Sequence, residues 1–193
     1  MTCVLALDIS MTRTGWALGG PDWGKPLHGV FETANWPKRQ GYNLKNWRKF
    51  LDARAASFEI THLVFEHVFV NANPKQFQWN GTEAQLMLLG VAVEWAEQRG
   101  IAQLKADIDD WRMRFLGLNR KPKDGTAGSD YWKTMALRRA AELNIYCEHH
   151  DEAEAIGILD FALAALDTAY RRRTDPRYRR AQNDIDLKRG IHA

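Results

Sequence analysis

Apolar positions along this chain change their period several times. Val4-Leu5-Ala6-Leu7 is an unbroken apolar run closed by Asp8, the pattern of a short buried strand. Thr14-Gly15-Trp16-Ala17-Leu18 follows a polar gap and stops at Gly19-Gly20-Pro21, a strong turn signal. His28 to Thr33 supplies a third run, so the first 33 residues predict an antiparallel meander. Over residues 42–58, Leu44, Trp47, Phe50, Leu51 and Ala55 fall at helical spacing with Arg and Lys between them, which predicts an amphipathic helix.

The stretch from His62 to Val70 is aromatic and β-branched, with Glu66 in its middle; it predicts a strand ended by Asn73-Pro74. Thr82 opens a helix to about Arg99, where Gly100 stands at a common stop position. Leu86, Leu89, Val93 and Ala96 make its stripe, widened by Met87, Gly90 and Val91. Ile101 to Leu104 predicts a further strand, and 111–117 carries no assigned element. Residues 118–130 read as a flexible loop with three basic residues, 131–143 as a helix and 145–147 as a short extended run. A final Ala/Leu-rich helix runs from Asp151 to about Tyr170. A meander followed by alternating helices and strands implies a mixed sheet with helices on both faces.

With 193 residues and 45% hydrophobic content, the chain suffices for one domain with a sizeable core. Acids and amides interrupt every apolar stretch before the roughly 18 residues a membrane span needs. No basic segment precedes the first apolar run, so a secretory signal is not expected. Cys3 and Cys147 do not make a disulfide framework and read as small core residues in a reducing, cytoplasmic setting, or host-cell cytoplasm for a viral source. The net charge of +3 conceals an asymmetry. Residues 170–193 hold eight of the 27 basic and three of the 24 acidic residues, a net +5, leaving −2 on the rest. Such an end suits a polyanion such as nucleic acid, or simply a solvated tail. The division expected is residues 1–170 as the folded domain and 171–193 as a basic tail.

Two acids stand where a core is expected. Asp8 closes an apolar strand and Glu66 interrupts the most hydrophobic one. A buried carboxylate costs several kcal/mol unless it is paired or binds a metal. Asp8 also suits a turn cap, and Glu66 also suits a solvent-facing or Arg-paired position. Asp151 and Glu154, three apart, share a helix face, although acids in a first turn also complement the helix dipole. Together the four positions suit magnesium, with manganese as the alternative, since both prefer oxygen donors. Two ions would offset the mutual repulsion and clamp a phosphodiester for in-line attack.

Spacing does not bring these four together; a family pattern does. Leu5-Ala6-Leu7-Asp8-Ile9-Ser10 with Thr14-Gly15-Trp16, Phe65-Glu66-His67-Val68-Phe69, Gly81 to Gly90, Trp111-Arg112 and Asp151-Glu152-Ala153-Glu154-Ala155 follow one another in order. That ordered set resembles the RuvC group of Holliday-junction resolvases, of the ribonuclease-H-like (retroviral-integrase-like) fold. The resemblance implies an α/β fold with a five-stranded mixed sheet, its first three strands antiparallel, flanked by helices. It implies a metal-binding catalytic site of Asp8, Glu66, Asp151 and Glu154. It implies a homodimer cutting opposed strands of a four-way DNA junction, leaving 5′-phosphate and 3′-hydroxyl ends. The wide face of helix 82–99 suits that interface as well as sheet packing. Two departures stand out. Ile9-Ser10 replaces the common Pro-Gly, closer to phage-type members, and Glu154 replaces the usual Asp.

Candidate phosphate contacts are Arg13, Lys75, Arg112, Lys121, Lys123 and Lys133. The resemblance places at Phe69 an aromatic that wedges into the junction, although a core Phe also fits; Trp79, in a polar loop, is a further DNA contact candidate. His150 is either an extra ligand or proton carrier, or, like His149, an ordinary loop residue. Rival readings are a nuclease for forks and flaps, a non-catalytic junction-binding protein, which a missing acid would mark, and a sugar-kinase-like phosphotransferase, which needs a second Gly-rich phosphate loop.

Overall fold

β1 (Val4–Asp8) and β4 (His62–Glu66) run parallel at the centre of a five-stranded sheet. β2 (Arg13–Gly19) and β3 (Leu27–Glu32) extend it on one side, antiparallel, and β5 (Ala102–Ala106) extends it on the other, parallel to β4. The order is β3-β2-β1-β4-β5. This is the mixed sheet with a three-strand meander that the sequence pattern predicts. The computed structural model of the chain describes residues 1–67, 79–118, 120–121 and 130–175, with only the backbone for Trp79 and Asn80.

Strand alternation divides the interior into two cores. Leu5, Leu7, Trp16, Leu18, Leu63 and Phe65 face α1 (Trp36–Ser57) and α2 (Trp79–Gln98). Val4, Ala6, Ala17, Val64 and Ala106 face α3 (Ile108–Leu116), α4 (Tyr131–Glu142) and α5 (His150–Leu166). Central strands covered on both faces read as unbroken apolar runs, which is why β1 and β4 show no alternation in sequence. Trp47, fully buried on the first face, donates its indole N–H to Leu88 O at 2.9 Å and ties α1 to α2.

Four elements differ from expectation. α1 begins at Trp36, not 42, with Pro37 in its first turn and a break at Arg39; the buried Asn43 bonds both backbone groups of Ala34 and holds this entry. α3 occupies residues whose pattern predicts no element, because only Trp111 and Phe115, four apart, are buried in so short a helix. The last helix stops at Leu166. Asp167 turns extended, its carboxylate accepts from Tyr170 N at 2.7 Å, and α6 (Thr168–Thr174) starts anew. Arg171 to Arg173 therefore lie in a helix. On α2 the buried positions are Ala84, Leu88, Ala92, Trp95 and Ala96, whereas Leu86 is 46% exposed and Gly90 faces open space. Among the described residues, no helix is long and apolar enough to cross a membrane.

α5 lies against β1 and β2 with the small residues Ala6, Ala17 and Ala153 in that core, while Gly157 gives room to Trp111 and Phe115 of α3. The closest approach is at Gly15, where a Cβ would fall 1.9 Å from Asp151 O. A side chain there requires a backbone shift, not a rotamer change. Gly15→Ala is expected to cost about 3 kcal/mol or more, seen as a lower urea midpoint at unchanged m value. A loss below about 1 kcal/mol would mean that α5 retreats freely.

Candidate active site

The first two acids come from strand ends. Asp8 closes β1 and Glu66 closes β4, and the pairing of Leu7 with Phe65 sets them beside each other at the carboxyl edge of parallel strands, a common place for ligands in open α/β sheets. Glu66 thus ends its described strand instead of interrupting it. The other two come from the start of α5. Asp8 pairs across the sheet with Gly15, and Gly15 is where the Asp151 backbone touches down. A strand pair and a helix distant in sequence are thereby locked at one point, and Glu154 follows on the next turn.

Two of the four carboxylates, Asp8 and Glu154, respond to the charge of the other acids. Burial pushes the Asp8 carboxyl well above the ordinary carboxylate range, and Glu154, Glu66 and Asp151 push it further, against Arg112. Burial, then Glu66 and Asp151, raises Glu154 to about 7, opposed by Arg112 and Lys133. Glu66 is raised by burial but restrained by Trp111, whose Nε1–H donates to its Oε2 at 2.8 Å, and by Arg112. Asp151 Oδ2 is buried with no hydrogen-bond donor, and Arg13 Nη1 lies 3.8 Å away. Among the described residues, no three of the four acids bring their oxygens within 4.8 Å of one another.

An all-oxygen donor set, an orphaned buried oxygen at Asp151, and carboxyl groups at Asp8 and Glu154 raised by burial and by neighbouring acids together fit hard divalent cations. Cations bound there would replace the missing positive charge.

Basic groups ring the acids. Arg112 lies over the rings of Trp132 (4.6 Å) and Trp111 (5.3 Å), which fixes the guanidinium in place. Arg13 sits among Glu32 (3.5 Å), Asp151 and His149, donating to His149 Nδ1 at 3.2 Å. Lys133 lies within electrostatic reach of Glu154 and 3.4 Å from Asp130. His150 Nε2 is 3.5 Å from Asp151 Oδ1. Burial, Lys133 and Arg13 lower its pKa, against Asp151 and Asp130, favouring the neutral ring. Lys121 is exposed. Phe69, Lys75 and Lys123 lie outside the described residues, as does the Trp79 side chain. Sequence reasoning misses Trp111 as the partner of Glu66; its only signal is an indole one residue before Arg112 in the matched segment.

No family model matches the chain. One curated relative, the crossover junction endodeoxyribonuclease RuvC of Wolbachia sp. subsp. Brugia malayi (strain TRS), is 28% identical over 166 residues, spanning 82% of this chain and 93% of the relative. Among solved structures, Thermus thermophilus RuvC superposes with a TM-score of 0.58 at 13% identity, covering 81% of this chain and 90% of that one. The same protein in complex with a Holliday junction substrate gives 0.59 at 12% identity, covering 82% and 90%. These likenesses match the fold across the sheet and its helices.

The raised carboxyl of Glu154 has a measurable sign. A folded pKa above the unfolded one means the native state holds the extra proton, so stability falls as pH rises from the unfolded value through about 7. In metal-free protein at pH 8, Glu154→Gln is expected to raise Tm by about 2–4 °C, with the gain vanishing near pH 4. Magnesium should stabilise the wild type more than the variant. An equal Tm gain at both pH values would remove the repulsion from Glu154.

Proposed function

We propose that the chain is a RuvC-like resolvase and that it cuts four-way DNA junctions by metal-dependent phosphodiester hydrolysis at the Asp8, Glu66, Asp151 and Glu154 site. The carrying observation is electrostatic. At the carboxyl edge of the sheet, burial and the charges of neighbouring acids from β4 and α5 hold the Asp8 and Glu154 carboxyl groups above their ordinary range.

Asp8, Glu66, Asp151 and Glu154 would hold divalent ions of the magnesium class, with Glu66 supplying a ligand from the strand side and Asp151 with Glu154 from the helix side. When bound, such ions lower the pKa of water and offset charge on the phosphate and the leaving 3′ oxygen. The chain's own groups do the rest. Trp111 holds Glu66 Oε2 in one orientation. Arg112, fixed between two indoles, offers a stationary positive charge to a phosphate entering beside the acids. Arg13 and Lys133 flank the same entrance. His150, kept neutral, has an Nε2 able to take a proton next to Asp151.

Paired incisions need two sites, and the exposed face of α2 around Leu86 and Gly90 is proposed as the contact between two copies. Residues 176–193 add Arg177, Arg179, Arg180, Lys188 and Arg189 as backbone contacts.

With a synthetic four-way junction and magnesium, the expected result is paired nicks that ligase seals, with less cleavage of linear duplex, flap and fork. Asp8→Asn is expected to lower cleavage at least about a hundredfold while keeping junction binding. Mixed dimers of wild type and Asp8→Asn should nick one strand only. Equal cutting of flaps would replace the junction reading with a broader branched-DNA nuclease, and normal cutting by Asp8→Asn would end the site assignment. Deleting residues 176–193 is expected to reduce the slope of log affinity against log salt by about 2–4. An unchanged slope would leave this segment without a DNA role.

A further inference from the structure

A different set of ligand atoms gathers beside the start of α5. His28 on the edge strand β3, Cys147 in the segment before α5, and Glu152 in its first turn each place a ligand atom within 4.8 Å of the other two. We propose that His28, Cys147 and Glu152 bind a zinc-class divalent cation that clamps β3 and the 143–149 segment to the start of α5.

The donors differ in kind from the acid quartet. Imidazole nitrogen, thiol sulfur and one carboxylate select zinc-class ions, whereas an all-oxygen set selects magnesium or manganese. The spacing is close to what such an ion needs. His28 Nδ1 lies 3.1 Å from Glu152 Oε2, near the roughly 3.3 Å edge of a tetrahedron built on zinc bonds of about 2.0–2.2 Å. The carboxylate is already aimed, since the same Oε2 accepts the Glu148 backbone N–H at 3.2 Å, the kind of outer contact that orients metal ligands. The side chains are sheltered, with 9% exposure for Glu152 and 20% for His28.

Charge also balances. Without a cation, burial and Glu152 push the Cys147 thiol up to about 11, so it stays protonated. Binding forms a metal–sulfur bond and releases that proton to solvent. Dication, thiolate and carboxylate then sum to zero, with a neutral imidazole and one coordination position left for water. The three ligands come from separate segments of the chain, so an ion there closes loops that the backbone leaves open. It would also hold the turn of α5 from which Asp151 projects. The proposal does not rest on the nuclease reading.

Cobalt titration of metal-free Asp8→Asn protein tests it, because cobalt reports a thiolate ligand by a sulfur-to-metal charge-transfer band that oxygen ligands do not give. One equivalent of cobalt per chain is expected to produce the band, and zinc to displace it. Cys3→Ser in the same background should retain the band and Cys147→Ser should lose it. His28→Gln and Glu152→Gln should each weaken cobalt binding by about tenfold or more. Zinc should raise the Tm of Asp8→Asn but not of Asp8→Asn with Cys147→Ser, whose near-isosteric change preserves the fold. Absence of the band, or its survival in Cys147→Ser, overturns the site whatever the outcome of junction cleavage.

Discussion

The contact between Gly15 and the Asp151 backbone is the constraint on which the rest of the molecule turns. Gly15 pairs with Asp8 in the sheet and leaves no Cβ between β2 and α5. The helix therefore descends onto the strands at the very residue opposite the first acid. Small side chains at Ala6, Ala17 and Ala153 continue that close approach along the helix. A larger residue at any of these positions would lift α5, and with it half of the acidic quartet, away from the strand ends. Packing on one face of the sheet thus sets the geometry of the charged edge.

That edge is built against its own electrostatics. Burial and neighbouring acids raise the Asp8 and Glu154 carboxyl groups; Arg112 tempers both, Lys133 tempers Glu154, and Trp111 tempers the buried Glu66. Arg112 is the most constrained of these, because indoles on α3 and α4 both face it. A flexible cation would fold onto the acids and neutralise them by itself. One anchored on aromatic rings keeps its charge available to an incoming anion, while the acids keep their demand for cations. Sites with opposed pulls of this sort are where function is found more often than stability.

Much of this architecture is legible in the amino-acid sequence. Apolar runs mark β1 and β4 because central strands covered on both faces must be apolar, and the acids at Asp8 and Glu66 stand out against that background. Their convergence with Asp151 and Glu154 is not legible from spacing, since a helix some 140 residues downstream of β1 leaves no local trace of where it docks. The ordered family pattern supplies it instead. α3 is hidden because nine residues with two buried aromatics give too short a period to read. The break at Asp167 is hidden because its local cap competes silently with a helix-favouring composition on either side. Cys147 reads as an ordinary core residue because the proximity of His28 and Glu152 depends on the edge strand meeting α5.

The chain order of the quartet also governs when it exists. Asp8 and Glu66 are made early, whereas α5, which completes the cluster, ends at Leu166. During synthesis the emerging polypeptide carries its strands and most of its helices before the final acids leave the ribosome. A nascent chain at that stage therefore holds the strand half of the cluster without the helix half. The last two acids arrive only with that closing segment, so a translation product truncated before α5 retains Asp8 and Glu66 alone of the four.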